Sequence, residues 1–495
     1  MERDDKLALT LSLILFSVTA GWFRRRQKQN EIAVVSNKFI RRSRTIPDDA
    51  TVGSRGYAAL SPPIPYLKSF YKCLEDPCDP INNPRGYVAL CVAENKLVTE
   101  MVAQRFLRPD TVAAAFSDPA SYSYNSFLGV PAARQAVAYF LARRFLFPDV
   151  PLTPEQALQH VSPAHVALGS GCAALLNYTF FILGEENDAV LIPAPYYAAF
   201  ENDMNVIAGC VPCSVQMANP AMGPTENELD IAYIQAQSRG LRVKFVLLTN
   251  PNNPLGVIYR PEVIKNTIRW ARKRHMHTIV DEIYALSTHK VDHEFQSVLR
   301  VMDNKLGDDV HMLWALSKDF GSSGLRIGTV YSQNETFLEA LGNLNIFSGV
   351  SHPMQAMTAE MLIDDTFVDA FLEESRQRLC HSYEICVLKL EEMVIPFIPA
   401  EAGIFVYVDF SSLLPERTFE GEARLCSLIT DYAHIVLTPG ESQRERTPGM
   451  FRLCYAWVSP QVLEIAMERL SKLVGKIRKI DFEDLNDLSL SSVLY

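Results

Sequence analysis

Short apolar runs recur through the middle of the chain and predict buried strands. The runs are Val166-Ala-Leu, Ala189-Val-Leu-Ile, Phe245-Val-Leu-Leu, Thr278-Ile-Val and Met312-Leu-Trp. Each run is brief and almost continuously apolar, which is typical of strands that are covered on both faces. Amphipathic stretches, such as residues 262–274, lie between the runs. The alternation predicts an α/β fold with a mostly parallel sheet.

The pattern changes after residue 350, where a long helix is predicted over residues 354–390 and a strand over residues 404–409. A closing helix over residues 461–477 completes a smaller α+β domain. We expect the following organisation: a membrane anchor at 1–23, a basic linker at 24–55, an N-terminal arm with part of the small domain at 56–110, a large domain at 111–345, a C-terminal small domain at 346–480 and an acidic tail at 481–495.

The uncharged residues 7–23 are at the lower length limit for one membrane-spanning helix. Arginines at positions 24–26 follow directly, and the positive-inside rule then leaves the body of the chain in the cytosol. A signal peptide cut after Ala20 is the alternative, although its leading region should be basic and this one is mixed. We expect a membrane-anchored protein with a cytosolic body.

Composition narrows the function classes. The chain has 495 residues, 48% of them apolar, which is enough for a large core. The net charge is −10 although residues 24–44 are basic, so the body is acidic and nucleic-acid binding is not expected. Among ten cysteines, Cys210 and Cys213 form a C-x-x-C pair without a second pair at metal spacing. We therefore expect no metal site and a reducing compartment.

Reactive or glycine-bearing segments follow four of the predicted strands, and ligands collect at such strand ends in open α/β sheets. The segments are Gly169-Ser-Gly-Cys-Ala-Ala174, Thr249-Asn-Pro-Asn-Asn-Pro-Leu-Gly256, Asp281-Glu-Ile-Tyr284 and the stretch from Lys318 to Arg326. A lysine at a strand end can form a Schiff base with an aldehyde cofactor. An arginine beyond it, and glycines before a helix, can hold that cofactor's phosphate. A carboxylate can keep a pyridine nitrogen protonated.

Together these segments resemble pyridoxal-phosphate enzymes of fold type I in the class I/II aminotransferase family, and within it the 1-aminocyclopropane-1-carboxylate synthases. The resemblance spans residues 55–475 and also rests on Gly86-Tyr-Val-Ala-Leu-Cys-Val-Ala-Glu-Asn-Lys-Leu97, Ile192-Pro-Ala-Pro-Tyr-Tyr197 and Phe451-Arg-Leu-Cys-Tyr455. It implies that residues 111–345 bind pyridoxal 5'-phosphate. It also implies an α-amino acid substrate and a homodimer in which each subunit completes its neighbour's site.

The resemblance assigns roles to individual residues. Lys318 would be the Schiff-base lysine and the base that moves the α-proton. Asp281 would pair with the pyridine nitrogen, and Tyr284 with Asn253 would hydrogen-bond the ring oxygen. The other expected cofactor contacts are a stacking Tyr197, the phosphate ligands Arg326, Ser170, Gly171, Cys172 and Ala173, and Ser317; the expected substrate contacts are Arg452 for the α-carboxylate, Glu94, Asn95 and Phe127.

The chain departs from the family at three places. Ala315 stands where a serine is usual three residues before the lysine, and Cys172 and Ala173 stand where the glycine turn usually carries a serine or threonine. These changes predict weaker but not absent cofactor binding, because Arg326 and the helix dipole remain. Phe127 stands where the plant synthases have a tyrosine that reaches the neighbouring site, which argues against ring closure on S-adenosylmethionine.

These observations favour an aminotransferase, with secondary metabolism as one setting for it. A C–S lyase and a 1-aminocyclopropane-1-carboxylate synthase are the enzymatic alternatives. A catalytically silent, membrane-tethered binding protein is the alternative from another class. The retention of Lys318, Asp281 and Arg452 argues against that last interpretation.

Overall fold

The computed structural model describes residues 51–53, 56–57, 60, 66–289 and 295–479. The predicted membrane segment, most of the basic linker and the acidic tail lie outside these ranges. The chain divides into two compact units, residues 1–63 and residues 64–495, and every element below belongs to the second. Within the described ranges, no helix combines the length and apolar character needed to cross a bilayer.

Strands and helices are numbered along the described chain. The strands are β1 (Val88–Ala89), β2 (Val166–Gly169), β3 (Ala189–Ala194), β4 (Val211–Gln216), β5 (Val243–Thr249), β6 (His277–Asp281), β7 (Val310–Ala315), β8 (Gly328–Ser332), β9 (Phe397–Ile398), β10 (Phe405–Asp409), β11 (Ile435–Val436), β12 (Thr438–Pro439) and β13 (Met450–Cys454). The helices are α1 (Leu67–Glu75), α2 (Thr99–Phe106), α3 (Pro109–Phe116), α4 (Pro131–Leu141), α5 (Pro154–His160), α6 (Cys172–Leu183), α7 (Phe200–Asn205), α8 (Glu226–Ser238), α9 (Pro261–Arg272), α10 (Val298–Val301), α11 (Leu316–Asp319), α12 (Glu335–Leu344), α13 (His352–Leu362), α14 (Asp365–Glu392), α15 (Phe419–Tyr432) and α16 (Pro460–Ile477).

A seven-stranded sheet in the order β2-β8-β7-β6-β5-β3-β4 forms the large domain. β8 runs antiparallel to its two neighbours and the remaining pairs are parallel, so the predicted mostly parallel sheet is confirmed. Helices cover both faces because neighbouring side chains on a strand point to opposite sides. On β7, Trp314 stacks on Phe140 of α4 at 5.0 Å between ring centroids, whereas Leu313 packs in the cluster that contains Leu175 of α6.

The parallel register brings the functional strand ends to one edge of the sheet. Thr249 at the end of β5 lies opposite Asp281 at the end of β6, and Asp281 lies opposite Leu313 on β7. β2 and β7 both pair with β8, through Gly169 and Ala315 opposite Gly328. The segments that follow these strands therefore converge, as the sequence predicts.

The small domain contains an antiparallel sheet in the order β12-β13-β10-β9, packed with α14 and α16. β1 pairs in parallel with β11, so the segment that precedes α2 is part of this domain. The continuous helix predicted over residues 354–390 is wrong, since α13 and α14 are separate. The Asp364 carboxylate accepts a hydrogen bond from Phe367 N at 3.0 Å, which caps α14, and it pairs with Arg105 Nε at 3.1 Å.

Candidate active site

Lys318 lies in α11, the single helical turn that follows β7. Its Nζ donates a hydrogen bond to the Ala93 carbonyl oxygen at 2.5 Å. Burial lowers the pKa of Lys318, while the nearby Glu94 carboxylate raises it. The following residue, Asp319, accepts a hydrogen bond from Trp314 Nε1 at 2.8 Å and so fastens the turn to β7. Burial therefore makes the neutral, nucleophilic form of this amine easier to reach than in water, and the Glu94 carboxylate opposes that effect.

Two buried acids lie near this amine. Burial raises the pKa of the Asp281 carboxyl to about 7, and the positive charge of Lys318 acts in the opposite direction. Asp281 Oδ1 accepts a hydrogen bond from Ile283 N at 3.2 Å. Asp203, on α7, is the second acid, and burial together with the charge of Asp281 raises its pKa to about 7. A cation placed beside Asp281 would favour its charged form.

Asn253, Tyr284 and Arg452 meet at the junction of the two domains. Asn253 Nδ2 lies 3.5 Å from the Tyr284 hydroxyl, and Arg452 Nη1 donates to Asn253 Oδ1 at 3.0 Å. The ring of Tyr284 packs edge-on against Phe405 of β10 at 5.2 Å between centroids. Burial raises the pKa of Tyr284 well above its usual value, so the phenol stays protonated and can donate.

The Arg452 guanidinium is almost fully buried and only partly satisfied. Its Nη2 donates to the Cys91 carbonyl at 2.6 Å and to Thr438 Oγ1 at 3.3 Å. Its Nε has no hydrogen-bond partner among the described residues. An unsatisfied buried donor costs about 1–3 kcal/mol, and more when it is charged. A carboxylate bound here would remove that cost, which fits the predicted role of Arg452.

A cradle for an anion forms where β2 turns into α6. Gly171 has φ +83°, and a Cβ at this position would lie 2.6 Å from Arg326 Nη2. Arg326 Nη2 donates to the Ser170 carbonyl at 3.1 Å, which ties the guanidinium to the turn. The Ser170 hydroxyl donates to the Ser348 carbonyl at 2.6 Å and is thus already used. Arg326 and main-chain N–H groups are the donors that this turn offers.

The remaining predicted cofactor contacts lie around the same turn. Cys172 and Ala173 open α6, and the first N–H groups of a helix lack intrahelical acceptors. Burial raises the pKa of the Cys172 thiol well above its usual value, so it remains neutral. Ser317 is buried directly before Lys318, and Ala315 is buried at the end of β7. Neither replacement residue, Ala315 or Ala173, supplies a side-chain donor.

Tyr197 and Tyr66 form the aromatic side of the site. Tyr197 is half-buried, and its ring is perpendicular to Phe200 at 5.3 Å between centroids. Burial raises the pKa of Tyr197, and Tyr66, Asp203 and Arg452 are among the charged or titratable groups that act on it. Tyr66 is half-buried near Arg452; burial raises the pKa of Tyr66, and the positive charge of Arg452 lowers it.

The segment that the resemblance assigns to the substrate side lies beside Lys318. Glu94 is partly buried and acts on the pKa of Lys318. Asn95 is fully buried; its Oδ1 accepts from Leu97 N at 3.1 Å, and its Nδ2 lacks a partner among the described residues. Gly321 packs so tightly that an added Cβ would collide with the Asn95 carbonyl oxygen.

The side chain of Phe127 does not lie beside the other predicted site residues within one chain. Its side chain is exposed, with its ring 6.2 Å from that of Tyr124. Its carbonyl accepts a hydrogen bond from Asn345 Nδ2 at 2.8 Å. This position stays a prediction, since its expected role lies in a neighbouring subunit.

Sequence reasoning missed Tyr66 and Asp203. The arm around Tyr66 is rich in aromatics and prolines but has no hydrophobic period that would single this residue out. In the structure the charge of Arg452 acts on Tyr66 and lowers its pKa. Asp203 lies six residues after Tyr197 on a helix that the apolar pattern does not reveal. The one available signal for Asp203 was its closeness in sequence to Tyr197, which belongs to a family motif.

Comparisons with known proteins agree with this geometry. Residues 87–470 match the model of the family described as aminotransferase class I and II. A 1-aminocyclopropane-1-carboxylate synthase of Cucurbita maxima is 30% identical over 84% of each chain, and synthase 2 of Arabidopsis thaliana is 32% identical over 81% of each. The structure of aspartate aminotransferase from Thermus thermophilus with maleate has a TM-score of 0.70 at 21% identity and covers 86% of this chain and 100% of its own.

Pyridoxal 5'-phosphate, the cofactor of these relatives, fits the residues present. Lys318 supplies the amine, and the cradle that a Cβ on Gly171 would fill lies beside Arg326. The buried carboxyl of Asp281 would suit the ring nitrogen, and Asn253 with Tyr284 would offer donors for the ring oxygen. The family match covers most of the described chain and the site chemistry agrees with it. The protein belongs to the pyridoxal-phosphate-dependent class I and II aminotransferase family.

Proposed function

We propose that the protein is an aminotransferase that acts on an α-amino acid. The observation that carries this proposal is the buried Arg452, whose Nε lacks an acceptor among the described residues and whose fork is linked through Asn253 to Tyr284. A carboxylate that satisfied Arg452 would be held beside the cofactor ring. The substrate's α-carbon would then be presented to the Lys318 amine.

The chain's own residues account for the proton movements. When bound, the cofactor supplies an electron sink for the bond that breaks at the α-carbon. Lys318 Nζ, whose pKa is lowered by burial, would accept the proton from the substrate's α-carbon and would hold it for return later in the reaction. Asp281 holds a proton at the ring nitrogen by its charge. Tyr197, on the aromatic side of the site, would cover the ring and keep water out.

The second candidate reaction is that of the relatives. Proteins named 1-aminocyclopropane-1-carboxylate synthases are 29–32% identical to this chain over more than four-fifths of its length. Against it stands Phe127, which lacks the hydroxyl expected at that position. A C–S lyase would use the same Lys318 and Asp281 with a different leaving group. One experiment that identifies the products can therefore distinguish both reactions from transamination.

A spectral titration of the purified protein against an amino-acid panel separates these reactions. The panel includes S-adenosylmethionine and cysteine conjugates. Keto-acid release that requires a paired donor and acceptor supports the aminotransferase. Thiol and ammonia from one substrate identify a lyase, and methylthioadenosine identifies a cyclopropane synthase. Arg452→Gln should weaken amino-acid binding by about 10- to 100-fold, because a hydrogen-bonded charge pair contributes about 1.5–3 kcal/mol. A protein whose spectrum no amino acid changes would contradict the proposal.

We also propose that the enzyme is a homodimer that buries an exposed apolar surface, here called the aromatic ridge: Tyr122, Tyr124, Phe127, Ile346 and Phe347. These side chains are 37–93% exposed, and Asn345 joins the two segments of the ridge. Ser170 is tied to Ser348 directly after the ridge, so the ridge adjoins the phosphate cradle. A partner on this surface would complete the site from outside.

Residues 7–23 are proposed as a membrane anchor that leaves the catalytic body in the cytosol. Their apolar run and the arginines that follow support this proposal. Carbonate extraction of cell membranes tests it. The full chain should remain in the membrane pellet, whereas a chain that begins at residue 45 should be released. Release of the full chain would contradict the anchor.

A further inference from the structure

A bidentate ion pair joins the two domains outside the catalytic residues. Arg444 of the small domain donates through Nε to Glu201 Oε1 at 2.5 Å and through Nη2 to Glu201 Oε2 at 2.8 Å. Glu201 lies on α7 of the large domain, and its side chain is only 19% exposed. The Tyr196 hydroxyl donates to the same carboxylate at 2.9 Å, and Tyr196 N donates to the Gln443 carbonyl at 2.9 Å. Partial burial, two-pronged geometry and a third donor distinguish this pair from an ordinary surface ion pair.

The pair links the two sides of the site. On the large-domain side, Tyr196 precedes the stacking Tyr197, and Glu201 is two residues from the buried Asp203 on the same helix. The Tyr197 ring contacts Phe200 at the start of α7, and Phe200 N donates to the Tyr197 carbonyl at 3.1 Å. The pair of Glu201 with Arg444 fixes α7 against the small domain.

On the small-domain side, Arg444 is connected to Arg452 through the adjacent residue Glu445 and through Tyr407. Glu445 Oε2 accepts a hydrogen bond from the Tyr407 hydroxyl at 3.3 Å. Tyr407 on β10 lies directly opposite Arg452 on β13 in the antiparallel ladder. Gln443, which precedes Arg444, is fully buried, and its side-chain amide lacks a partner among the described residues. The buried Glu422 carboxylate fastens both ends of this loop within the small domain, because it accepts hydrogen bonds from Glu441 N at 2.9 Å and from Gly449 N at 2.7 Å. The ion pair joins the middle of the loop to the large domain.

We propose that Glu201 and Arg444 are positioning residues that clasp the two domains and set the spacing between Tyr197 and Arg452. The clasp would tune affinity for the substrate's carboxylate without holding the cofactor. This inference rests on the proposed function, because it takes Arg452 as the carboxylate ligand. Neither clasp residue is placed in contact with the reacting atoms.

The test compares Glu201→Gln, Arg444→Gln and the double variant with a matched control, Arg242→Gln. Arg242 makes an equally bidentate pair with Asp188, at 2.6 Å for both bonds, beside the start of β3 and thus at the opposite end of the strands from the site. Each clasp variant should weaken the binding of an amino acid that the unmodified enzyme binds by about tenfold. The double variant should be no weaker than either single one, since one interaction is lost. Cofactor affinity should fall less than amino-acid affinity, because Lys318, Gly171 and Arg326 lie outside the clasp.

Two further variants distinguish a positioning role of the clasp from a general loss of folding stability. Arg444→Lys keeps the charge but loses the fork, and should recover part of the affinity. The exchanged pair Glu201→Arg with Arg444→Glu should recover more affinity than either of its single changes. The proposal is overturned if the clasp variants bind the amino acid within about twofold of the unmodified enzyme. It is also overturned if Arg242→Gln loses as much thermal stability as the clasp variants and weakens amino-acid binding as much as they do.

Backbone hydrogen exchange of residues 440–449 in the cofactor-free protein gives a readout that needs no substrate. Exchange should rise in Arg444→Gln and stay unchanged in Arg242→Gln. Unchanged exchange in Arg444→Gln would overturn the clasp. If the proposed function is wrong, the unmodified holoenzyme will bind no amino acid. The exchange comparison between Arg444→Gln and Arg242→Gln still tests the clasp in that case.

Discussion

At the scale of single residues, the site concentrates ionisable groups in a buried space. Asp281 and Asp203 both have pKa values raised to about 7, chiefly by burial. Two acids so placed do not both ionise without a compensating cation. Lys318 is the cation that lowers the pKa of Asp281 in the cofactor-free protein. A protonated cofactor ring would supply a second one, so cofactor binding and acid ionisation are coupled.

This coupling predicts how the stability of the cofactor-free protein depends on pH. A buried acid with a raised pKa binds its proton more tightly when folded, so its stabilising contribution is full below about pH 4 and is lost as pH rises through 7. Asp203→Asn should therefore make the decline in unfolding free energy between pH 4 and 7 shallower. Denaturant unfolding at several pH values measures it, with the exposed Glu262→Gln as control. A decline as steep as that of the unmodified protein would contradict the account.

Gly171 offers a residue-scale test of the phosphate cradle. Gly171→Ala should weaken cofactor binding by about tenfold or more, because its Cβ would lie 2.6 Å from Arg326 Nη2. Gly240→Ala is the matched control, since φ is +76° there against +83° at Gly171, but nothing lies within 4 Å of an added Cβ. Both variants therefore carry similar backbone strain, and only Gly171→Ala also places a methyl group in the cradle. Equal cofactor affinity of the two variants in an absorbance titration would contradict the cradle.

At the scale of elements, loops carry the site and packed backbone positions them. The turn from Lys318 to Gly321 packs against the segment that holds Glu94 and Asn95. Lys318 Nζ bonds to the Ala93 carbonyl, so a shift of either loop moves the amine relative to the substrate side. The elements are therefore interdependent although they are far apart in sequence.

Gly321→Ala tests this dependence. The added methyl group would push the Asn95 carbonyl away, and we expect amino-acid binding to weaken by about tenfold. Gly324→Ala lies in the same loop with open space around its Cβ and should behave like the unmodified enzyme. Spectral titrations with a bound amino acid measure both. Indistinguishable affinities would show that the contact does not position the substrate side.

The elements also show what sequence patterns can predict. β3, β5, β6 and β7 follow from continuous apolar runs because they are covered on both faces. β4 alternates buried and partly exposed residues at the sheet edge, so it has no such run. The break before α14 depends on Asp364 pairing with Arg105, which lies 259 residues away. Local patterns carry no information about a contact of that kind.

At the scale of the whole molecule, the site lies where two domains meet. Motifs located Lys318, Asp281, Asn253 and Arg452 because each stands in a distinctive local segment. Motifs could not locate Tyr66 or the Glu201–Arg444 clasp, since their roles arise only when the domains pack together. Local motifs therefore predict the candidate reactive groups, whereas contacts between distant segments become visible only in the folded chain.

The aromatic ridge predicts the oligomeric state. Phe347 is 80% exposed beside the phosphate cradle, and Phe347→Glu should convert a dimer into monomers because it buries a charge in the proposed contact. Val394, which is 77% exposed on the small domain after α14, provides the control Val394→Glu. Light scattering after size-exclusion chromatography measures both. A dimer that survives Phe347→Glu would contradict this location of the interface.

We expect the Lys318 amine to hold the cofactor aldehyde. The most direct measurement is borohydride reduction of the cofactor-loaded protein, followed by peptide mapping by mass spectrometry. One reduced pyridoxyl phosphate per chain is expected on the peptide that contains Lys318, and none in Lys318→Ala. The label on another lysine, or equal labelling of Lys318→Ala, would contradict it.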